Sequence, residues 1–100
     1  MLLAAALLGV PACRRGPCPP DTELRGSRQA GQQSCEYQDS NGLSVKHGPF
    51  IDWYPNGRKR SEGNYERGKQ TGRWVYWDEN GAMTTAREYR DGALSGERAP

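Results

Sequence analysis

The sequence predicts an all-β fold, an antiparallel meander of tandem β-hairpins, from three observations. Residues 48–71 and 72–95 form two copies of a 24-residue repeat, and each copy contains an Asn-Gly pair. Glycines also recur too often to leave a stretch long enough for an amphipathic helix. The copies are identical at six positions, which hold glycines, aromatic residues and a turn dipeptide: Gly48 and Gly72, Trp53 and Trp77, Asn56 and Asn80, Gly57 and Gly81, Tyr65 and Tyr89, Gly68 and Gly92.

Two kinds of turn divide each copy into strands. Asn56-Gly57 and Asn80-Gly81 predict two-residue type I′ turns, because this dipeptide supplies the positive backbone dihedrals that such turns require. A second turn, around Arg67-Gly68 and Asp91-Gly92, links one hairpin to the next. The predicted strands cover residues 49–54, 59–65, 73–77 and 83–89.

Incomplete repeat units flank the two copies. Residues 35–47 form a degenerate half-repeat in which Tyr37 takes the place of Tyr65, as irregular terminal repeats do. Gly96 opens a further copy, and residues 96–100 are a truncated tail. The strand near 83–89 is therefore expected to be an open edge that accepts another chain's strand, either a partner's or a second copy's.

Alternation along the strands assigns the aromatic residues to two faces. Ile51 and Trp53 share a face, as do Val75 and Trp77, and this face is the predicted core. Three further aromatic residues fall on the opposite face, where they either pack beneath long side-chain stems or form an exposed strip that binds a partner. They are Phe50, Trp74 and Tyr76.

The repeat pattern resembles the MORN-related repeats of the YwqK family, a bacterial group labelled as antitoxins. The resemblance covers residues 35–96 and implies a β-hairpin repeat fold and, at most, binding to another protein. The matching residues are Gly48, Phe50, Trp53, Asn56, Gly57, Gly63, Tyr65, Gly68 and Gly72, then Trp74, Trp77, Asn80, Gly81, Tyr89, Gly92 and Gly96. The second copy departs from the pattern at Arg87, where the first has Gly63, and at Ala82-Met83-Thr84.

The chain begins with an apolar run typical of an export signal. Residues 2–10 are small and apolar but too short to span a bilayer, which needs about 20 residues. The following Val10-Pro11-Ala12-Cys13 resembles a bacterial lipobox, which implies a signal peptide over residues 1–12 and lipidation of Cys13. Arg14 then favours the outer membrane. The alternative is a cleaved signal and a secreted or periplasmic protein.

The segment that follows is predicted to be a tether. Residues 13–34 are rich in Pro, Gly, Gln and charge, and cannot bury enough apolar surface to offset the entropy of ordering. An irregular cap over the first repeat is the alternative. If Cys13 is acylated, Cys18 and Cys35 are an even pair in an oxidising compartment and are predicted to form a disulfide.

Composition argues against several classes of function. The 14 basic and 12 acidic side chains are interleaved, so the chain lacks the basic patch of a nucleic-acid-binding protein. No carboxylate recurs in both copies, since Glu62 aligns with Ala86 and Asp52 with Tyr76. His47 is the one histidine, and no metal-ligand spacing accompanies it. We therefore expect no enzyme activity, cofactor or metal.

Three functions remain as hypotheses. The first is an exported, lipid-anchored envelope protein whose repeats bind an unknown protein, antitoxin-like or otherwise. The second is a structural spacer or wall-binding element. The third, a phospholipid-binding module like those of MORN proteins, would use the basic run Arg58, Lys59 and Arg60.

Overall fold

The protein is a single antiparallel sheet in the computed structural model, which describes residues 17–99. Every regular element within this range is a strand, and the strands lie in chain order across the sheet. The prediction of an all-β meander is confirmed. The seven strands are β1 (Glu23–Ser27), β2 (Gln32–Gln38), β3 (Ser44–Trp53), β4 (Lys59–Glu66), β5 (Lys69–Trp77), β6 (Met83–Arg90) and β7 (Ala93–Arg98).

The first and last strands correct two expectations. The prediction of a tether over 13–34 is wrong where β1 and the start of β2 pair, with Leu24 opposite Cys35. Most of the β1 side chains are exposed, so backbone hydrogen bonds hold this strand without the apolar burial that the composition lacks. The strand at 83–89 is not an open edge, because residues 93–98 pair with it as β7. The predicted signal segment 1–12 and Cys13 lie outside residues 17–99.

The Asn-Gly hairpins form as predicted, but with a different turn type. Gly57 has φ 89° and Gly81 has φ 92°, whereas neither asparagine has a positive φ. The Gly57 amide donates to the Tyr54 carbonyl at 2.9 Å, and the Tyr54 amide donates to the Arg58 carbonyl at 2.8 Å. This is a type I turn followed by a left-handed glycine, and the register shift near Trp53 is the accompanying bulge.

Type I′ turns occur instead at the opposite ends of the strands. Arg67 and Gly68 have φ of 49° and 86°, and Asp91 and Gly92 have φ of 52° and 85°. Both central residues of each turn are thus left-handed, as this turn type requires. The type I′ turn predicted for the Asn-Gly pairs therefore occurs in the turns that link one hairpin to the next.

The sheet is one layer thick, and its core lies on the face opposite to the one predicted. We call the face of Phe50, Trp74 and Tyr76 the first face, and the face of Ile51, Trp53, Val75 and Trp77 the second face. Phe50 is 7% exposed and Trp74 is 2% exposed. The four residues of the predicted core are only half-buried.

Candidate interaction surfaces

Trp74 is the centre of an aromatic cluster on the first face. Its ring lies 5.4 Å from Phe50 and 5.2 Å from Tyr65, centroid to centroid, and 6.4 Å and 6.3 Å from Tyr76 and Tyr89. The Tyr65 and Tyr89 rings meet it edge-on, an arrangement that the charge distribution of aromatic rings favours. The cluster therefore joins residues of β3, β4, β5 and β6 into one packed unit.

A close approach of Trp74 to the backbone of β4 makes this packing possible. A Cβ atom added to Gly63 would lie 2.2 Å from Cδ2 of Trp74, so the indole ring covers a position where no side chain fits. The indole N–H donates to the Asn64 carbonyl at 3.0 Å, which satisfies the buried donor. The tryptophan is thus fixed in orientation as well as buried.

This contact explains why the core face was predicted wrongly. Both faces of β3 and β5 carry apolar residues, so the alternation of side chains does not show which face is the core. Gly63 stands opposite Phe50 in the register and leaves space on the first face that large rings fill. A glycine facing an aromatic residue across neighbouring strands is the signal that identifies the core.

The three partner-binding candidates consequently have different roles. Phe50 and Trp74 are core residues, so the expectation that they form an exposed strip is wrong. Tyr76 is half-buried on the surface of the cluster, and the structure adds Tyr65 and Tyr89 beside it. The accessible part of the first face is therefore a rim of tyrosines around a buried tryptophan.

The hydroxyls of Tyr65 and Tyr76 keep their protons into the alkaline range, because both have raised pKa values. Burial raises the pKa of Tyr76, and a hydrogen bond with Tyr89 raises it further. Burial also raises the pKa of Tyr65. Near neutral pH these hydroxyls are therefore uncharged and available as hydrogen-bond donors.

Arg87 completes the rim of the first face. Its guanidinium carbon lies 5.0 Å from the centre of the Tyr76 ring, and its Nε donates to the Glu97 carboxylate at 3.1 Å. Stacking on the ring and pairing with the carboxylate hold the planar group in one orientation. The rim thus combines aromatic surface, hydroxyl donors and one oriented cation.

A buried polar group borders the cluster near the end of β3. Asp52 is 9% exposed and accepts hydrogen bonds from Ser61 at 2.5 Å and from Nη2 of Arg60 at 2.8 Å. The carboxylate raises the pKa of Arg60 through this hydrogen bond and through its charge. The second copy has Tyr76 where the first has Asp52, so the group is not repeated.

The basic run does not form one cationic patch. Arg60 pairs with Asp52 on the first face, whereas Lys59 pairs with Glu62 at 2.9 Å and lies 6.0 Å from the centre of the Trp77 ring. Arg58 extends along the turns, where its Nη1 donates to the Asn80 carbonyl at 2.8 Å. The three phospholipid-binding candidates thus point to different neighbours.

Side chains in the first Asn-Gly turn connect one hairpin to the next. The Tyr54 hydroxyl donates to the Trp77 carbonyl at 2.7 Å, and the Asn56 amide group donates to the Glu79 carbonyl at 2.9 Å. The Asn56 side-chain oxygen also accepts from the Arg58 amide. These contacts give Asn56 a structural role beyond its turn propensity.

Cys18 and Cys35 form a disulfide in the structure, with Cα atoms 5.5 Å apart. Cys35 is 1% exposed, and Pro19 lies against Gly48, where an added Cβ would be 2.7 Å from Cδ of the proline. The bridge therefore holds the segment before β1 against the outer end of the aromatic cluster. This contact agrees with the cap that the sequence offered as an alternative to a tether.

Within residues 17–99 no cluster of His, Cys, Asp and Glu suits a metal ion, and no helix could cross a membrane. Comparisons with models of protein families, with curated proteins and with solved structures found no match to this chain.

Proposed function

We propose that this protein is a non-catalytic binding module whose first face receives a partner protein. The observation that carries the proposal is the rim of Tyr65, Tyr76, Tyr89 and Arg87 around Trp74. Tyrosine, tryptophan and arginine are the residues most enriched at the centres of protein interfaces. Contact with the fixed Trp74 ring limits the motion of the rim, so little conformational entropy is lost when a partner binds.

The chemistry of the rim favours a partner that presents hydrogen-bond acceptors. The Tyr65 and Tyr76 hydroxyls are protonated donors, and Arg87 already holds one carboxylate, that of Glu97. The molecule extends 56 × 34 × 23 Å, so its broad face is larger than the roughly 800 Å² per partner that a standard interface buries. An acidic segment of another protein, laid across β4, β5 and β6, suits this surface.

We further propose that the module acts in the bacterial cell envelope, anchored through lipidated Cys13 to the outer membrane. The sequence Val10-Pro11-Ala12-Cys13 supports this location through its resemblance to a lipobox. The Cys18–Cys35 disulfide is also consistent with it, because disulfides persist in oxidising compartments outside the cytoplasm. The resemblance to the YwqK repeats supports protein binding in the same way.

A photo-crosslinking experiment in a bacterial host tests the proposed face. A photoreactive phenylalanine analogue replaces Gln70, which lies beside Tyr76 on the first face, or Glu88, which lies on the second face. We expect a crosslinked protein of defined mass from position 70 and none from position 88.

Two matched substitutions then test the chemistry of the rim. Arg87→Gln should reduce the adduct severalfold, whereas Arg90→Gln, which removes the same charge elsewhere on β6, should leave it unchanged. Equal adducts from positions 70 and 88, or an adduct insensitive to Arg87→Gln, would contradict the proposal. Growth with labelled palmitate tests the anchor, because a full-length chain without label at Cys13 would remove it.

A further inference from the structure

Two arginines make similar contacts at successive turns along one edge of the sheet, each donating to a backbone carbonyl of the next turn. This edge runs across the ends of the strands, where residues 28–31, 54–58 and 78–82 form successive turns. We call it the basic turn edge. Nη2 of Arg28 donates to the Gly57 carbonyl at 2.8 Å, and Nη1 of Arg58 donates to the Asn80 carbonyl at 2.8 Å. Each guanidinium thus reaches from one turn to the next. Arg28 lies outside both sequence copies, yet the fold places it where it extends the repeat.

Open grooves lie between these turns, and aromatic rings line them. A groove of about 690 Å³ between the first two turns is lined by Arg28, Trp53, Tyr54 and Arg60 among others. A second groove of about 410 Å³ lies between the second and third turns, where Arg58 and Trp77 join Arg28 and Trp53. Both tryptophans are half-buried, so part of each ring remains accessible.

The charge of Arg28 and Arg58 is not neutralised by a carboxylate within the part of the chain that the structure describes. Each guanidinium donates a hydrogen bond to a backbone carbonyl, which leaves its remaining N–H groups available. The grooves therefore offer cations beside aromatic rings.

The neighbouring acidic groups limit where an anion can sit. Lys59 and Arg60 pair with Glu62 and Asp52. The Asp78 carboxylate, at the third turn, accepts hydrogen bonds from the amides of Asn80 and Ala82. An anionic ligand would therefore contact Arg28 and Arg58, towards the β1 end of the edge.

The geometry of the sheet sets the distance between the Arg28 and Arg58 sites, which we call the two subsites. Successive turns on one edge are two strands apart, which corresponds to about 10 Å. Trp53 and Trp77 are separated by the same two strands. A polymer that lies along the edge would therefore meet a ring and a guanidinium about every 10 Å.

We infer that the basic turn edge binds an acidic polysaccharide, a chain whose sugars carry carboxylates. The apolar faces of sugar rings stack on tryptophan, and a carboxylate accepts charge-assisted hydrogen bonds from arginine. A nucleic acid fits less well, because its charges are far denser than two guanidinium groups on a chain of net charge +2. This site is separate from the tyrosine rim and does not depend on it.

Tryptophan fluorescence of the full-length protein in mild detergent tests the inference. The probe is an oligomer of galacturonic acid, and neutral chitin oligomers, a thymidine oligonucleotide and phosphatidylglycerol vesicles serve as comparisons. Trp74 is buried, so the tryptophans that a ligand can contact are Trp53 and Trp77. We expect saturable binding of the galacturonate oligomer that weakens as salt is added.

Matched charge variants identify the subsites. Arg28→Gln and Arg58→Gln should each weaken binding about tenfold or more, because each removes a charged hydrogen-bond donor. Arg90→Gln carries the same charge change at a distance from these turns and should bind as the parent does. Circular dichroism of each variant confirms that the sheet is intact.

Several results would overturn the inference. They are an unchanged emission with galacturonate, equal binding of the neutral oligomer, tighter binding of the oligonucleotide or vesicles, and equal losses in Arg28→Gln and Arg90→Gln. A failure of this kind would leave the tyrosine rim untouched, because that proposal is tested on the first face with residues that do not line the grooves.

Discussion

The two copies of the repeat differ most at the position where one copy packs on the next. In the first copy this position is Gly63, and the Trp74 ring of the second copy lies over it. In the second copy the same position is Arg87, and the residue 24 positions after Trp74 is Arg98, which brings no ring. The unit of packing is thus a glycine of one copy with the aromatic residue of the following copy.

The outer ends of the sheet lack this arrangement and use other contacts. At the end near β1, the Cys18–Cys35 disulfide and Pro19 lie against Gly48. Near β7, Arg87 stacks on Tyr76 and pairs with Glu97. The junction of the two copies is therefore the core of the domain, whereas its two flanks are held by a disulfide at one end and by polar contacts at the other.

The largest expected effect comes from removing the ring at the junction. Trp74→Ala should lower the free energy of unfolding by about 3–5 kcal/mol, because it empties the centre of a packed cluster. Trp77→Ala, on the second face of the same strand, should cost clearly less, because that ring is only half-buried. Urea denaturation followed by circular dichroism measures both, and equal losses would show that the two faces contribute alike.

A smaller effect is expected from filling the space beneath the ring. Gly63→Ala should cost about 1–3 kcal/mol, since the added methyl group overlaps the Trp74 ring and displaces it from the face of the sheet. Gly96→Ala is the matched control, because an added Cβ there would come no closer than 3.8 Å to Glu88. If thermal or urea denaturation showed the two alanines to be equivalent, Trp74 would not lie on Gly63.

The smallest effect concerns alkaline pH. Tyr65 of the first copy and Tyr76 of the second have pKa values raised by burial, whereas tyrosine in an unfolded chain has a pKa of about 10. Their contribution to stability is therefore complete below about pH 10 and is lost as the pH rises through the folded values. We expect the free energy of unfolding to fall above this pH, and to fall less steeply in Tyr76→Phe. Parallel pH profiles for the two proteins would contradict the assignment.

The sequence predicted the architecture because its signals are local. A 24-residue period and turn dipeptides place strands and reversals without reference to packing. β4 and β6 match their predicted bounds to within one residue, whereas β3 and β5 begin several residues earlier than predicted. The type I′ prediction for the Asn-Gly pairs was wrong, because type I turns followed by a left-handed glycine also accept Asn-Gly. Which end of a hairpin carries which turn depends on the bulges of the sheet.

The core face and the candidate sites could not be predicted in the same way, because they depend on contacts between distant residues. Gly63 has no side chain to mark its role, and only its neighbour across the sheet shows that Trp74 covers it. Arg28 lies in a segment whose composition suggested a tether, yet the pairing of β1 with β2 brings it to Gly57. The tyrosine rim likewise combines residues from β4, β5 and β6.

A double-mutant cycle between Gly63 and Trp74 tests the junction most directly. The free energy of unfolding is measured for the parent protein, for Gly63→Ala, for Trp74→Ala and for both changes together. We predict that Gly63→Ala costs little once the ring is absent, which gives a coupling energy of about 1 kcal/mol or more. Additive losses would mean that the two residues do not touch, and would contradict a core built across the two copies.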